Sequence, residues 1–152
     1  MVIGPQPRDV PLIRRTLSVF KVSSIVTGIF LLGLVVMMVT RYGFGRDIEL
    51  GGESGFLALT PIDTLTGVNV SILLLTIHGW LYVLYLACDF VLWRVAYQGA
   101  VPWAFLRFLW IAMGGIVPFL SFYFERQVPR EVEAIIASMQ AARETESAET
   151  TA

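Results

Sequence analysis

Residues 22–40 read VSSIVTGIFLLGLVVMMVT, nineteen positions without a formal charge. Over residues 25–39 the only polar side chain is Thr27. A helix rising about 1.5 Å per residue carries nineteen residues across about 28 Å, close to the ~30 Å apolar thickness of a bilayer. A helix also satisfies its own backbone hydrogen bonds where no water can. A surface helix of a soluble protein carries polar residues every third or fourth position, and this one does not. The alternative, burial on all sides, needs a larger core than 152 residues can build around several such helices.

Two further uncharged runs follow, at residues 64–88 and 108–124. Charges lie almost entirely between the runs, only 15% of residues are charged, and mean hydropathy is +0.71. The expected fold is all-α, a polytopic membrane protein with three transmembrane helices and a short amphipathic C-terminal helix. Its divisions are an N-terminal cytoplasmic segment (residues 1–16), a three-helix transmembrane domain (17–128), and an amphipathic helix with a disordered tail (129–152).

Between the first two runs, residues 41–63 hold many glycines and four acids against two Arg, and read as a flexible solvent-facing loop. Asp63 or Thr64 is expected to cap the second helix. The third is expected to start at Pro102 and to kink at Pro118, whose missing N–H leaves the Gly114 carbonyl without a donor. Val128, Val132, Ile135, Ile136 and Met139 recur at helical spacing among charges, as in a helix lying on a membrane surface or a partner. The apolar run after Arg14, Arg15 and Lys21 is too long for a signal peptide and reads as a retained first span. That basic cluster places the amino terminus in the cytoplasm of a bacterial cell, the protein multi-pass in the inner (plasma) membrane, and the tail outside. Three crossings divide the basic residues six inside against five outside.

A net charge of −1 excludes a nucleic-acid partner, which requires a concentrated basic face. The single Cys88 excludes an intrachain disulfide. His78, in the middle of the second run, is the first candidate for chemistry, because ionisable groups inside a bilayer are costly. It could ligate haem or a metal, or pass a proton. As the only histidine it lacks co-ligands, and the expected role is a hydrogen bond to a hydroxyl such as Thr27, with Gly79 letting helices approach. Asp89, Arg94 and Arg107 are expected to form an interfacial ionic cluster, and Glu125 with Arg126 a second. Ser24 and Gly28 have the small-xxx-small spacing of a helix-packing face.

The strings FKVSSIVTG (20–28), IHGWLYVLY (77–85), GIVPF (115–119) and FER (124–126) resemble a family of small bacterial integral membrane proteins, common in actinobacteria and of unknown function. The likeness covers roughly residues 17–128, and the Gly-rich first loop is longer than the family pattern. The resemblance implies a three-helix membrane protein with no assigned reaction.

The expected function is a non-catalytic accessory subunit of a larger membrane complex, a cytochrome oxidase or respiratory supercomplex being the leading host. The partners expected are other membrane-protein subunits and the lipid bilayer, and no enzymatic activity or cofactor is expected. Its docking face would be Ser24, Thr27, Gly28, His78 and Gly79 with Val132, Ile135 and Ile136. The rival is a small homo-oligomeric transporter or cofactor-binding protein built on His78 and Asp89.

Overall fold

The computed structural model describes residues 5–151, and of 146 and 149–151 only the backbone. Residues 1–4 of the expected cytoplasmic segment and residue 152 of the tail lie outside the described residues. Helix α1 (Val10–Phe44) ends where Gly45 adopts the left-handed conformation, with φ of 65°. Strands β1 (Arg46–Gly52), β2 (Gly55–Pro61) and β3 (Val68–Asn69) follow, then α2 (Val70–Leu92), α3 (Ala104–Ala112) and α4 (Leu120–Thr151). The helical segments Pro7–Phe44 and Val70–Tyr97 are long and apolar enough to cross a membrane.

The first loop is folded. It is an antiparallel sheet of order β2-β1-β3, in which Ile48 pairs with Leu59 and Leu50 with both Leu57 and Val68. The alternation Asp47-Ile48-Glu49-Leu50, followed by a Gly-rich turn, is the hairpin signal that composition obscured. The sheet also displaces the expected cap. Asp63 and Thr64 lie in a 3₁₀ turn (Ile62–Thr64), and α2 is capped by Asn69, whose side chain accepts from the Ile72 N–H at 3.2 Å.

The third run forms neither one helix nor a kinked one. Pro102 precedes a Trp103 with positive φ, so α3 begins only at Ala104. It ends after nine residues, and Met113–Gly115 tightens into a 3₁₀ turn. Two glycines, a proline without a donor, and Phe119 at φ 69° then turn the chain back on itself.

Helix α4 descends antiparallel to α3. Trp110 of α3 meets Phe124 with ring centroids 6.0 Å apart, and Arg107, one turn earlier, meets Glu131. Along α1, Ser24 donates to the Ser121 carbonyl at 2.7 Å, whereas Val132 and Ile136 share a core with Ile13 and Leu17. The hairpin thus enters from the amino-terminal end of α1, turns beside its middle, and returns. The stripe expected as a separate short amphipathic helix is the continuation of α4, which stays helical through the expected disordered tail to Thr151.

The core therefore sits at one end of the molecule. Ile13, Phe20, Tyr85, Leu92, Ile111, Phe124, Val128 and Val132 are fully buried there.

Candidate functional site

Three groups of polar side chains mark this fold. The first is a column on one face of α2: His78, Tyr82, Tyr85 and Asp89 recur at intervals of four, three and four residues, so all point toward α1 and the hairpin. The rings of His78 and Tyr82 stack at 6.2 Å, as do those of Tyr82 and Tyr85. The tyrosines complete the hairpin. Breaking α3 frees its last carbonyls, and Tyr85 donates to Ile111 at 2.6 Å and Tyr82 to Ala112 at 3.1 Å. Gly114 and Gly115 are required beside them, since a Cβ at 114 would lie 2.6 Å from the Tyr85 hydroxyl and one at 115 would enter the Tyr82 ring.

Neither end of the column is saturated. His78 does not bond the Thr27 hydroxyl, and that hydroxyl has no partner. The imidazole faces the backbone of Thr27 and Gly115, with Nδ1 buried and unpartnered. At the other end Asp89 is fully buried and neither carboxylate oxygen accepts a hydrogen bond. Arg94 is exposed and bonds Gln98 instead.

Arg107 turns to the second group, around Glu131, which the sequence reading did not single out. Its guanidinium meets that carboxylate through Nε at 3.0 Å and Nη2 at 2.6 Å, while Tyr97 and Gln127 donate to it at 3.2 and 2.8 Å. The expected Asp89–Arg94–Arg107 cluster is thus replaced by Arg107–Glu131, because the hairpin brings α4 to the position Asp89 was expected to fill. No ion pair joins Glu125 to Arg126 among the described residues; Glu125 is half-buried and Arg126 exposed.

The third group anchors the sheet. Asp47, fully buried, accepts from Arg41 at 3.0 Å, from Asn69 at 2.9 Å and from Ser71, tying β1 to the end of α1 and the start of α2. Burial alone would raise its carboxyl, but the bonds from Ser71 and Asn69 and the Arg41 charge outweigh that and hold it below its ordinary 3.8. Glu49 accepts from the Gly67 N–H at 3.1 Å and the Thr66 N–H at 2.9 Å, which lowers it from 4.5. Strand geometry puts the residues between them on the opposite face. Ile48, Leu50, Leu57, Leu59 and Val68 form that face, and the last three are 64%, 46% and 55% exposed.

The residues expected to meet a partner are mostly used within the chain. Ser24 and Gly28 lie under α4, and a Cβ at Gly28 would strike the Ser121 hydroxyl and the Phe122 ring. Val132 and Ile136 are core, with Ile135 packed against it. Gly79 faces open space, so it permits no close approach within the chain.

Residues 17–130 match the family described as a domain of unknown function, DUF3817. The chain belongs to that family. No curated protein and no solved structure matches it. The DUF3817 match takes in the α2 column, the carboxylates that anchor the sheet, most of α1, all of α2 and the turn of the hairpin, and stops within α4, one residue before Glu131. Among the described residues no group of three or more His, Cys, Asp or Glu is placed to hold a metal ion.

Proposed function

We propose that this DUF3817 protein is a bacterial plasma-membrane protein that crosses the bilayer twice, through α1 and α2, and inserts the α3–α4 hairpin from the cytoplasmic side without crossing. Charge supports this topology over three passes. Arg8, Arg14, Arg15, Lys21, Arg94, Arg107, Arg126, Arg130 and Arg143 then face the cytoplasm, and only Arg41 and Arg46 lie outside. Nine against two is a strong positive-inside bias, whereas three crossings left six against five. At the start of the turn Gly114 and Gly115 are buried and the last carbonyls of α3 are met by Tyr82 and Tyr85, which is how non-helical backbone is accommodated at membrane depth. Both termini are then cytoplasmic and the sheet is outside.

In this reading the protein serves as a non-catalytic accessory subunit of a larger membrane complex. The observation that carries it is the outer face of the sheet: Leu57, Leu59 and Val68 stand exposed while Asp47 and Glu49 are buried beneath them. Outside the bilayer no lipid tail covers such a face, and β2 also offers a free strand edge. A partner subunit with an apolar surface covers both. The test is mild-detergent isolation from native membranes of the wild type and of a Leu57→Asp, Leu59→Asp variant. The wild type should co-migrate with a partner that the variant loses while remaining membrane-inserted. A wild-type chain that migrates alone overturns the role. A haem spectrum in the co-migrating complex would identify a respiratory host.

A further inference from the structure

The hairpin fills only the inner half of the space between α1 and α2. Above its tip lies a cavity of about 630 Å³, open on one side, walled by Leu31, Leu34 and Leu75, floored by His78 and Gly115, with Arg41, Tyr42 and Ser71 at its outer end. That volume lies within the range of sites for small organic ligands, about 300–1,000 Å³, and the walls are nearly all apolar. The polar element at its floor is an imidazole with unused hydrogen-bonding capacity. The ring lies against the backbone of Thr27 and Gly115, and its Nδ1 has no hydrogen-bond partner. A neutral imidazole offers one donor and one acceptor, and a half-turn of the ring exchanges which nitrogen faces the cavity.

We infer that this cavity binds a neutral lipid with one hydrogen-bonding oxygen head, such as a prenylated quinone or long-chain alcohol, its carbonyl or hydroxyl on His78 and its hydrocarbon along Leu31, Leu34 and Leu75. Depth selects this class over a phospholipid. His78 lies seven residues, about 10 Å, below Ser71 at the outer end of α2, too deep for ester groups tied to a charged headgroup at the interface. Arg41 and Tyr42 line the outer end beside Ser71, so a charged head would stop there, and the apolar walls around His78 admit only a neutral one.

The inference rests on the membrane placement of α1 and α2 but not on the accessory role. A chain extractable from membranes by carbonate fails that placement before any ligand is tested. The full chain is reconstituted in phosphatidylglycerol vesicles with and without a prenylated naphthoquinone, re-purified, and its bound lipid quantified by native mass spectrometry. Wild type should carry about one quinone per chain. Leu75→Trp, which fills the cavity from an exposed position, and His78→Leu, which removes the polar anchor, should each reduce retention at least tenfold, with helicity and melting unchanged. Retention of phospholipid alone, or of quinone equally by wild type and His78→Leu, overturns the inference. Should Leu75→Trp fail to fold, the His78→Leu comparison decides.

Discussion

The two ends of α1 are held by different physics. At the amino-terminal end four helices meet, and Ile13, Leu17 and Phe20 bury against α2, α3 and α4 as in the core of a soluble bundle. At the other end α1 has only α2 and a small sheet, and the elements are joined through the buried carboxylates Asp47 and Glu49. The difference follows from where the hairpin turns. Gly114 to Phe119 stop the third run beside the middle of α1, so the inner half receives two more helical segments and the outer half none. Packing stabilises one end, and a few charge-assisted hydrogen bonds stabilise the other.

Breaking this contrast altogether requires the hairpin to cross. A cytoplasmic reporter fused to the carboxyl terminus should be active and an exported reporter silent, an all-or-none difference. The opposite pattern would restore a third crossing and put α4 outside. Within the inner end, Phe124→Ala should cost about 3–5 kcal/mol by opening a cavity against Tyr123 and Trp110, and Gly28→Leu should pry α4 from α1 at a similar cost. Thermal unfolding in detergent checks both. At the outer end Leu75→Ala should change melting little, because that side chain is mostly exposed.

Glu131→Gln tests the polar part of the inner end. It keeps the shape but leaves Arg107 without its charge, and about 1–3 kcal/mol should be lost. Loss of less than a few tenths would mean that packing alone holds α3 to α4.

The smallest effect separates the ends by pH. Asp47 and Glu49 are both held below their ordinary values of 3.8 and 4.5, so their stabilisation is complete above those values and is lost as pH falls through the lower folded ones. Amide exchange in β1 and β3 should therefore rise below about pH 4 while the α1–α4 core stays protected. Asp47→Asn should flatten that response. A core that opens at the same pH as the sheet would show that the two ends are one cooperative unit.

Several features were legible in residue order alone. Charge-free runs located α1 and α2, the spacing at Val128, Val132 and Ile136 marked a helix face, and Gly114, Gly115 and Pro118 marked an irregularity. The sheet was hidden because glycines and acids suggested a solvated loop, although the alternation around Ile48 carried the opposite signal. The ionic partner was hidden because Glu131 is 24 residues from Arg107, and only the reversal of the chain brings them together.

Residue order alone settles the identity of the apolar segments, since a bilayer or a core selects residues by transfer free energy, a property each residue carries with it. The direction each segment takes belongs to the tertiary structure. A kink and a reversal at Pro118 both follow locally from a missing N–H. The choice between them came from contacts distant in sequence: Tyr82 and Tyr85 on the freed carbonyls of α3, Ser24 on Ser121, and Arg107 on Glu131. Those contacts turn a third apolar run into a hairpin that fills half the molecule and leaves a cavity over the other half.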